Sequence, residues 1–145
     1  MIRQATKDDI AAIRELMQSE PGAWKHNTRN DALDIELSSA KDLAFVWEED
    51  GQILGFACAH DCGFRAYCGE LIVAKVARGK GLGRGLIEHI QSKLQARECP
   101  VLFSDVWKDA EKFYRSLGWS EPDVVLLRKT LVNENNQQAN ALAKK

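Results

Sequence analysis

The chain has 145 residues, 45% of them hydrophobic, which suits one ordinary domain with a continuous core. Its 20 Lys and Arg against 21 Asp and Glu leave a formal net charge of −1, so overall basicity of the nucleic-acid-binding kind is excluded and positive charge must act locally. No apolar run approaches the roughly 18 residues that span a bilayer, and Met1-Ile-Arg-Gln leads into polar sequence rather than a signal-peptide core; a soluble, cytoplasmic protein is expected.

The first segment reads as a strand, MIRQA, followed by a helix. Thr6 is a good N-cap, Asp9 stands three residues on, and Ile10, Ile13, Leu16 and Met17 recur at helical spacing until Pro21-Gly22 ends the run. A second helix is expected from about Thr28 to Ala40, with Leu33, Leu37 and Ala40 on one face, after the irregular connection EPGAWKHN. DLAFVWEED and GQILGFACAH then read as a hairpin about the turn-forming Glu49-Asp50-Gly51. After the loop DCGFR comes AYCGELIVA, whose consecutive Leu71, Ile72 and Val73 predict a strand buried on both faces in the middle of a sheet.

RGKGLGRGL follows, with glycine at 79, 81, 83 and 85, and then Leu82, Leu86, Ile90 and Leu94 mark an amphipathic helix; His89, beside that stripe, reads as surface. Pro100 separates this helix from the next strand, VLFSDVW. DAEKFYRSLGW reads as a short helix with Asp109 as N-cap and Gly118 closing it in a left-handed turn, and DVVLLRKTL reads as the last strand. Residues 133–145 are polar, without a hydrophobic stripe, and read as a solvated tail after a domain of residues 1–132.

Cys58, Cys62, Cys68 and Cys99 show no C-x-x-C pair and no nearby histidine pair to complete a tetrahedral zinc site. They read as reduced packing residues, and no metal is expected.

Strand, glycine-rich loop and helix in that order form an anion cradle. A helix N-terminus leaves several N–H groups unpaired and carries partial positive charge, while glycine admits an anion close to the backbone and tolerates positive φ. Arg78, Lys80 and Arg84 add side-chain charge. The P-loop pattern fails because Gly85 is followed by Leu86 and Ile87, and the dinucleotide fingerprint fails because Arg84 stands where its third glycine belongs. Arg78, Gly81 and Gly83 do fit R-x-x-G-x-G.

On LIVAKVARGKGLGRGLIEHI, and on AEKFYRSLGW further along, the chain resembles the GNAT superfamily of acyl-CoA N-acyltransferases. The resemblance runs along most of Met1 to about Leu131. It departs from the common pattern at Lys75, Val76 and Ala77, where many members carry proline and an aromatic residue. It implies an α/β (α+β) single-domain fold, a mixed central sheet flanked by helices with splayed central strands. The implied activity is transfer of an acetyl group from acetyl-CoA to a primary amine in a ternary complex; dimers are common in the family.

By the same resemblance, Arg78, Gly79, Lys80, Gly81, Leu82, Gly83 and Arg84 would hold the coenzyme's pyrophosphate. Its pantetheine arm would run beside Ile72 and Val73, with a backbone N–H near Leu71 to Val73 for the oxyanion. Tyr114 falls where the family places an acid near the thioester sulfur. Glu70 and Asp105 compete as base, with Glu70 preferred, and some members use ordered water instead. His60, Asp61, Arg65, Trp24 and His26 fall where the family varies its acceptor pocket. Two alternatives remain beside this one: an acyl-CoA-binding module without turnover, and a cysteine-dependent acyltransferase using Cys68.

Overall fold

A computed structural model describes residues 1–132. The described residues divide into two compact units, one of residues Met1–Trp24 and Asn30–Ser104 and the other of Lys25–Arg29 and residues 105–132. The polar tail assigned to residues 133–145 lies outside the described residues.

The first unit holds a five-stranded sheet in the order β1 (Ile2–Gln4), β2 (Ala44–Glu49), β3 (Gln52–Asp61), β4 (Ala66–Val73) and β5 (Leu102–Phe103). The first four strands pair antiparallel, and β5 joins β4 in parallel, so the sheet is mixed as expected. The β2–β3 hairpin turns on Asp50 and Gly51, both at positive φ (51° and 76°), the backbone that a tight two-residue turn requires.

Side chains alternate across the sheet with period two. Ala44, Val46, Phe56 and Cys58 pack with α1 (Ile10–Gln18) and α2 (Ala32–Ala40) on one face. Phe45, Ala57 and Ala59 pack with α3 (Leu82–Ala96) on the other. The α3 stripe is buried throughout: Leu86 and Ile90 are fully covered, and Leu82 and Leu94 nearly so. Each such side chain stabilises the fold by about 1.5–3 kcal/mol relative to exposure. Leu71 packs with the α3 face and Ile72 with the α1–α2 face, as consecutive residues of a doubly covered strand must.

Details differ from the sequence expectation. The second helix starts at Ala32 rather than near Thr28. Of VLFSDVW only Leu102 and Phe103 are strand. His89 is half-buried rather than surface, its ring edge-on to Phe45 with centroids 4.5 Å apart.

In the second unit, a 3-10 turn at Lys108–Ala110 leads into α4 (Glu111–Ser116). Trp107 precedes that turn, so Asp109 lies within it instead of capping the helix. Gly118, at φ 93°, closes α4: its N–H bonds Arg115 O and the Trp119 N–H bonds Tyr114 O, the double hydrogen bond of a left-handed helix stop. DVVLLRKTL is not a strand. Val124, Val125, Leu126 and Leu127 are exposed, and among the described residues no strand edge pairs with them, without which a β-rich run has no ladder to join.

Candidate active site

The glycine-rich loop is built as an anion cradle. After β4 a 3-10 turn, Lys75–Ala77, takes the place of the proline-aromatic exit, and Gly79 (φ 77°) and Gly81 (φ 84°) then adopt the left-handed conformation that side chains resist. Gly81 is the N-cap of α3, and the first bond of that helix runs from the Gly85 N–H to Gly81 O. Among the described residues, none of the six N–H groups from Gly79 to Arg84 meets a backbone carbonyl. Gly85 serves packing instead: a Cβ there would lie 3.0 Å from the Trp47 ring.

The three cations are placed differently from one another. Lys80 is exposed. Arg84 pairs with Glu88 one turn on, at 2.8 Å. Arg78 is turned to Glu20, with which it forms an ion pair, and its Nε donates to Val73 O at 3.3 Å.

Beside the loop, β4 offers an open edge. β5 pairs only with Ala66 and Tyr67, and Ser104 Oγ donates to Cys68 O at 3.2 Å; among the described residues no strand pairs with β4 further along on that side. Ala74 N–H bonds Leu54 O, so in this antiparallel register Ile72 exchanges its hydrogen bonds with Phe56. The main-chain groups of Leu71 and Val73 therefore face the open edge, while those of Ile72 are taken by β3. Leu71 turns both of its groups to another extended chain and Val73 its N–H, Val73 O already accepting from Arg78 Nε.

Glu70 precedes Leu71 and stands opposite Cys58, at a β-bulge where Gly69 is the extra residue of β4. Burial first, and the nearby charge of Glu36 second, raise the Glu70 carboxyl to about 7. Asp105 belongs to the second unit and is exposed. Tyr114, on α4, is 8% exposed, edge-on to the rings of Phe113 and Trp119 at 5.3 Å each.

Cys68 is buried, and burial with the charges of Glu70 and Glu36 pushes its thiol up to about 12. The structure therefore speaks against Cys68 as a nucleophile, which must act as thiolate. All four cysteines are free.

The expected acceptor residues separate. His60 lies against Glu36, with Nε2 3.7 Å from the carboxylate, and its Nδ1 is 3.0 Å from Ser39 Oγ. Asp61 accepts from the Gly63 N–H, Arg65 is exposed, Trp24 packs under Arg14, and His26 is an exposed residue of the second unit. Sequence reasoning missed Glu36. Its signal was positional, since Leu33, Glu36, Leu37 and Ala40 share one helical face and put a carboxylate on an otherwise apolar, inward stripe.

Residues 10–119 match the model of the Acetyltransferase (GNAT) family. Over 131 residues the chain is 31% identical to the peptidyl-lysine N-acetyltransferase YiaC of Escherichia coli K12, spanning 82% of each protein. Over 136 residues it is 28% identical to an acetyltransferase of Pectobacterium atrosepticum, spanning 92% of this chain and 96% of the relative. Among solved structures, AAC(6′)-Iy in complex with the bisubstrate analogue CoA-S-monomethyl-acetylneamine shares the fold at TM-score 0.70 and 24% identity, over 90% of this chain and 97% of that one.

A mixed five-stranded sheet between helices, with relatives of this kind, defines an acyltransferase. The chain belongs to the GNAT acetyltransferase family.

Proposed function

We propose that this chain transfers an acetyl group from acetyl-CoA to a primary amine by direct attack in a ternary complex. The observation that carries the reading is the row of N–H groups from Gly79 to Arg84, free of main-chain partners, beside the open edge of β4. Anions are held by such N–H rows, and extended amide-bearing chains by such edges; coenzyme A has a diphosphate and a pantetheine arm in that order.

The residues divide the work. Main-chain N–H groups of residues 79–84, with Lys80 and Arg84, bind the diphosphate. Leu71 and Val73 align the pantetheine amides, and one of their N–H groups stabilises the developing oxyanion, an effect typically worth about 3 kcal/mol. Glu70, titrating near neutrality, takes the proton that an amine of pKa near 10 must lose before it attacks. Tyr114 supplies the proton to the departing thiolate.

The test is coenzyme A release with a panel of amines, including peptides bearing lysine, because the relative YiaC is a peptidyl-lysine N-acetyltransferase. Turnover with at least one amine supports the reading. Tight coenzyme binding with no turnover for any amine would favour a binding module instead, and absence of coenzyme binding would remove both.

A further inference from the structure

Three side chains from two elements converge on one point of the α1–α2 face of the sheet. Cys58 and His60 are two residues apart on β3, and Glu36 reaches them from α2. One donor atom from each lies within 4.8 Å of the other two. Cys58 Sγ is 2.7 Å from Glu36 Oε1, and His60 Nε2 is 3.7 Å from the same oxygen.

The three atoms converge on the face of Gly69. A Cβ on Gly69 would lie 2.9 Å from Glu36 Oε1, 3.3 Å from His60 Nε2 and 3.5 Å from Cys58 Sγ. Gly69 has no positive φ to require glycine, so it is the volume in front of it that a side chain would fill. A carboxylate oxygen, an imidazole nitrogen and a sulfur thus meet over one glycine.

We propose that Glu36, Cys58 and His60 bind a borderline-soft divalent cation of the zinc type, seated in front of Gly69. The donor set is one that such ions select, O, N and S together. In a tetrahedral site with bonds of about 2.0–2.3 Å, neighbouring ligand atoms stand about 3.3–3.7 Å apart. The His60–Glu36 separation already has that value, and the Cys58–Glu36 contact has to open by less than about 1 Å to reach it.

The surroundings fit an ion as well. Ser39 Oγ sits 3.0 Å from His60 Nδ1, so the tautomer with a proton on Nδ1 donates it to Ser39 and leaves the Nε2 lone pair toward Glu36. The side chains of Glu36 and His60 are 17% and 20% exposed, which gives the ion a way in from solvent, while Cys58 is fully buried beneath them. On binding, the Cys58 thiol releases its proton to solvent as the sulfur–metal bond forms, and a water completes the fourth position. None of these residues belongs to the phosphate loop, and the site stands whether or not the acetyl-transfer reading does.

The experiment uses the full chain, stripped with a chelator and titrated with Co²⁺, whose thiolate charge-transfer band reports a cobalt–sulfur bond. One equivalent of cobalt with that band is expected. Cys58→Ser abolishes the band, and Cys62→Ser, which removes the exposed thiol nearby, keeps it. Gly69→Ala keeps all three ligands and lowers Co²⁺ affinity at least about tenfold, as does Ser39→Ala. Should Cys58→Ser fail to fold, His60→Ala with the same readout takes its place. No band in the unaltered protein, a band that survives loss of Cys58 or His60, a band that disappears with Cys62, or unchanged affinity in Gly69→Ala would each overturn the site.

Discussion

Arg78 is anchored by Glu20: its guanidinium pairs with that carboxylate while its Nε holds Val73 O at 3.3 Å, so the first cation of the loop braces the exit of β4. Coenzyme binding should accordingly depend on the backbone more than on this side chain. Calorimetric titration with coenzyme A is expected to show Arg78→Met raising Kd by less than about tenfold, short of the loss of a charge-assisted hydrogen bond. Gly81→Val, which forces a branched side chain to φ 84°, should raise it about a hundredfold or more. The opposite ranking would return the phosphate contact to Arg78.

A carboxyl at about 7 predicts the pH dependence of the reaction. As a base, Glu70 acts when ionised, so kcat/KM measured in the presence of chelator should rise with pH through about 7. Glu70→Gln should flatten that limb and cost about 10²–10⁴-fold in rate. A limb near 7 that survives in Glu70→Gln would transfer the role to another base or to water.

Stability carries the same signature with the opposite slope. A carboxyl raised on folding leaves the native state holding a proton that the unfolded chain has lost. Stability therefore falls as pH rises from the usual carboxylate range to about 7, by at most about 3 kcal/mol. Urea unfolding at a series of pH values should show this slope in the unaltered protein and lose it in Glu70→Gln.

Asp9 gives the reverse case. It is 6% exposed and held by the two terminal nitrogens of Arg3 at 2.8 Å, with the Thr6 N–H as a third donor, also at 2.8 Å. The hydrogen bonds from Arg3 hold its carboxyl below the ordinary range despite burial, so the stability it supplies is present above that range and is lost as pH falls through the lowered value. Arg3→Met should cost about 2–4 kcal/mol by leaving a buried carboxylate without its cation, read as a lowered urea midpoint.

Tyr114→Phe separates chemistry from packing. The ring keeps its edge-on contacts with Phe113 and Trp119, and only the hydroxyl goes. A fall in kcat of about 10²-fold or more, with Tm shifted by no more than a few degrees, is expected of an acid. Unchanged turnover would leave Tyr114 as a packing residue.

What the sequence revealed followed from periodicity and special backbone. The stripe of Leu82, Leu86, Ile90 and Leu94 announced α3, and the glycines at 79 and 81 announced positive φ, because both signals are local. Glu70 was legible as the residue before a buried strand segment, but its high titration range comes first from burial and then from the charge of Glu36, 34 positions away and on a helix. Arg78 read as a phosphate ligand from its motif, and nothing local could show that Glu20 engages it. Cys58-x-His60 places two side chains on one face of a strand, but only the packing of α2 brings the third donor to them. DVVLLRKTL fails for the same reason from the other side: its composition suits a ladder, and a ladder needs a second edge.

Beyond Tyr67, the bare margin of β4 also has a cost when no ligand lies along it. Cys68 O and Val73 O already accept from Ser104 and Arg78, but main-chain groups of Leu71 and the Val73 N–H, to which no strand of the described residues pairs, are a template on which another chain can crystallise its own hydrogen bonds. Saturating coenzyme should therefore slow heat-induced clumping of the protein beyond what its added thermal stability alone explains, acting as a removable hem on an otherwise raw seam.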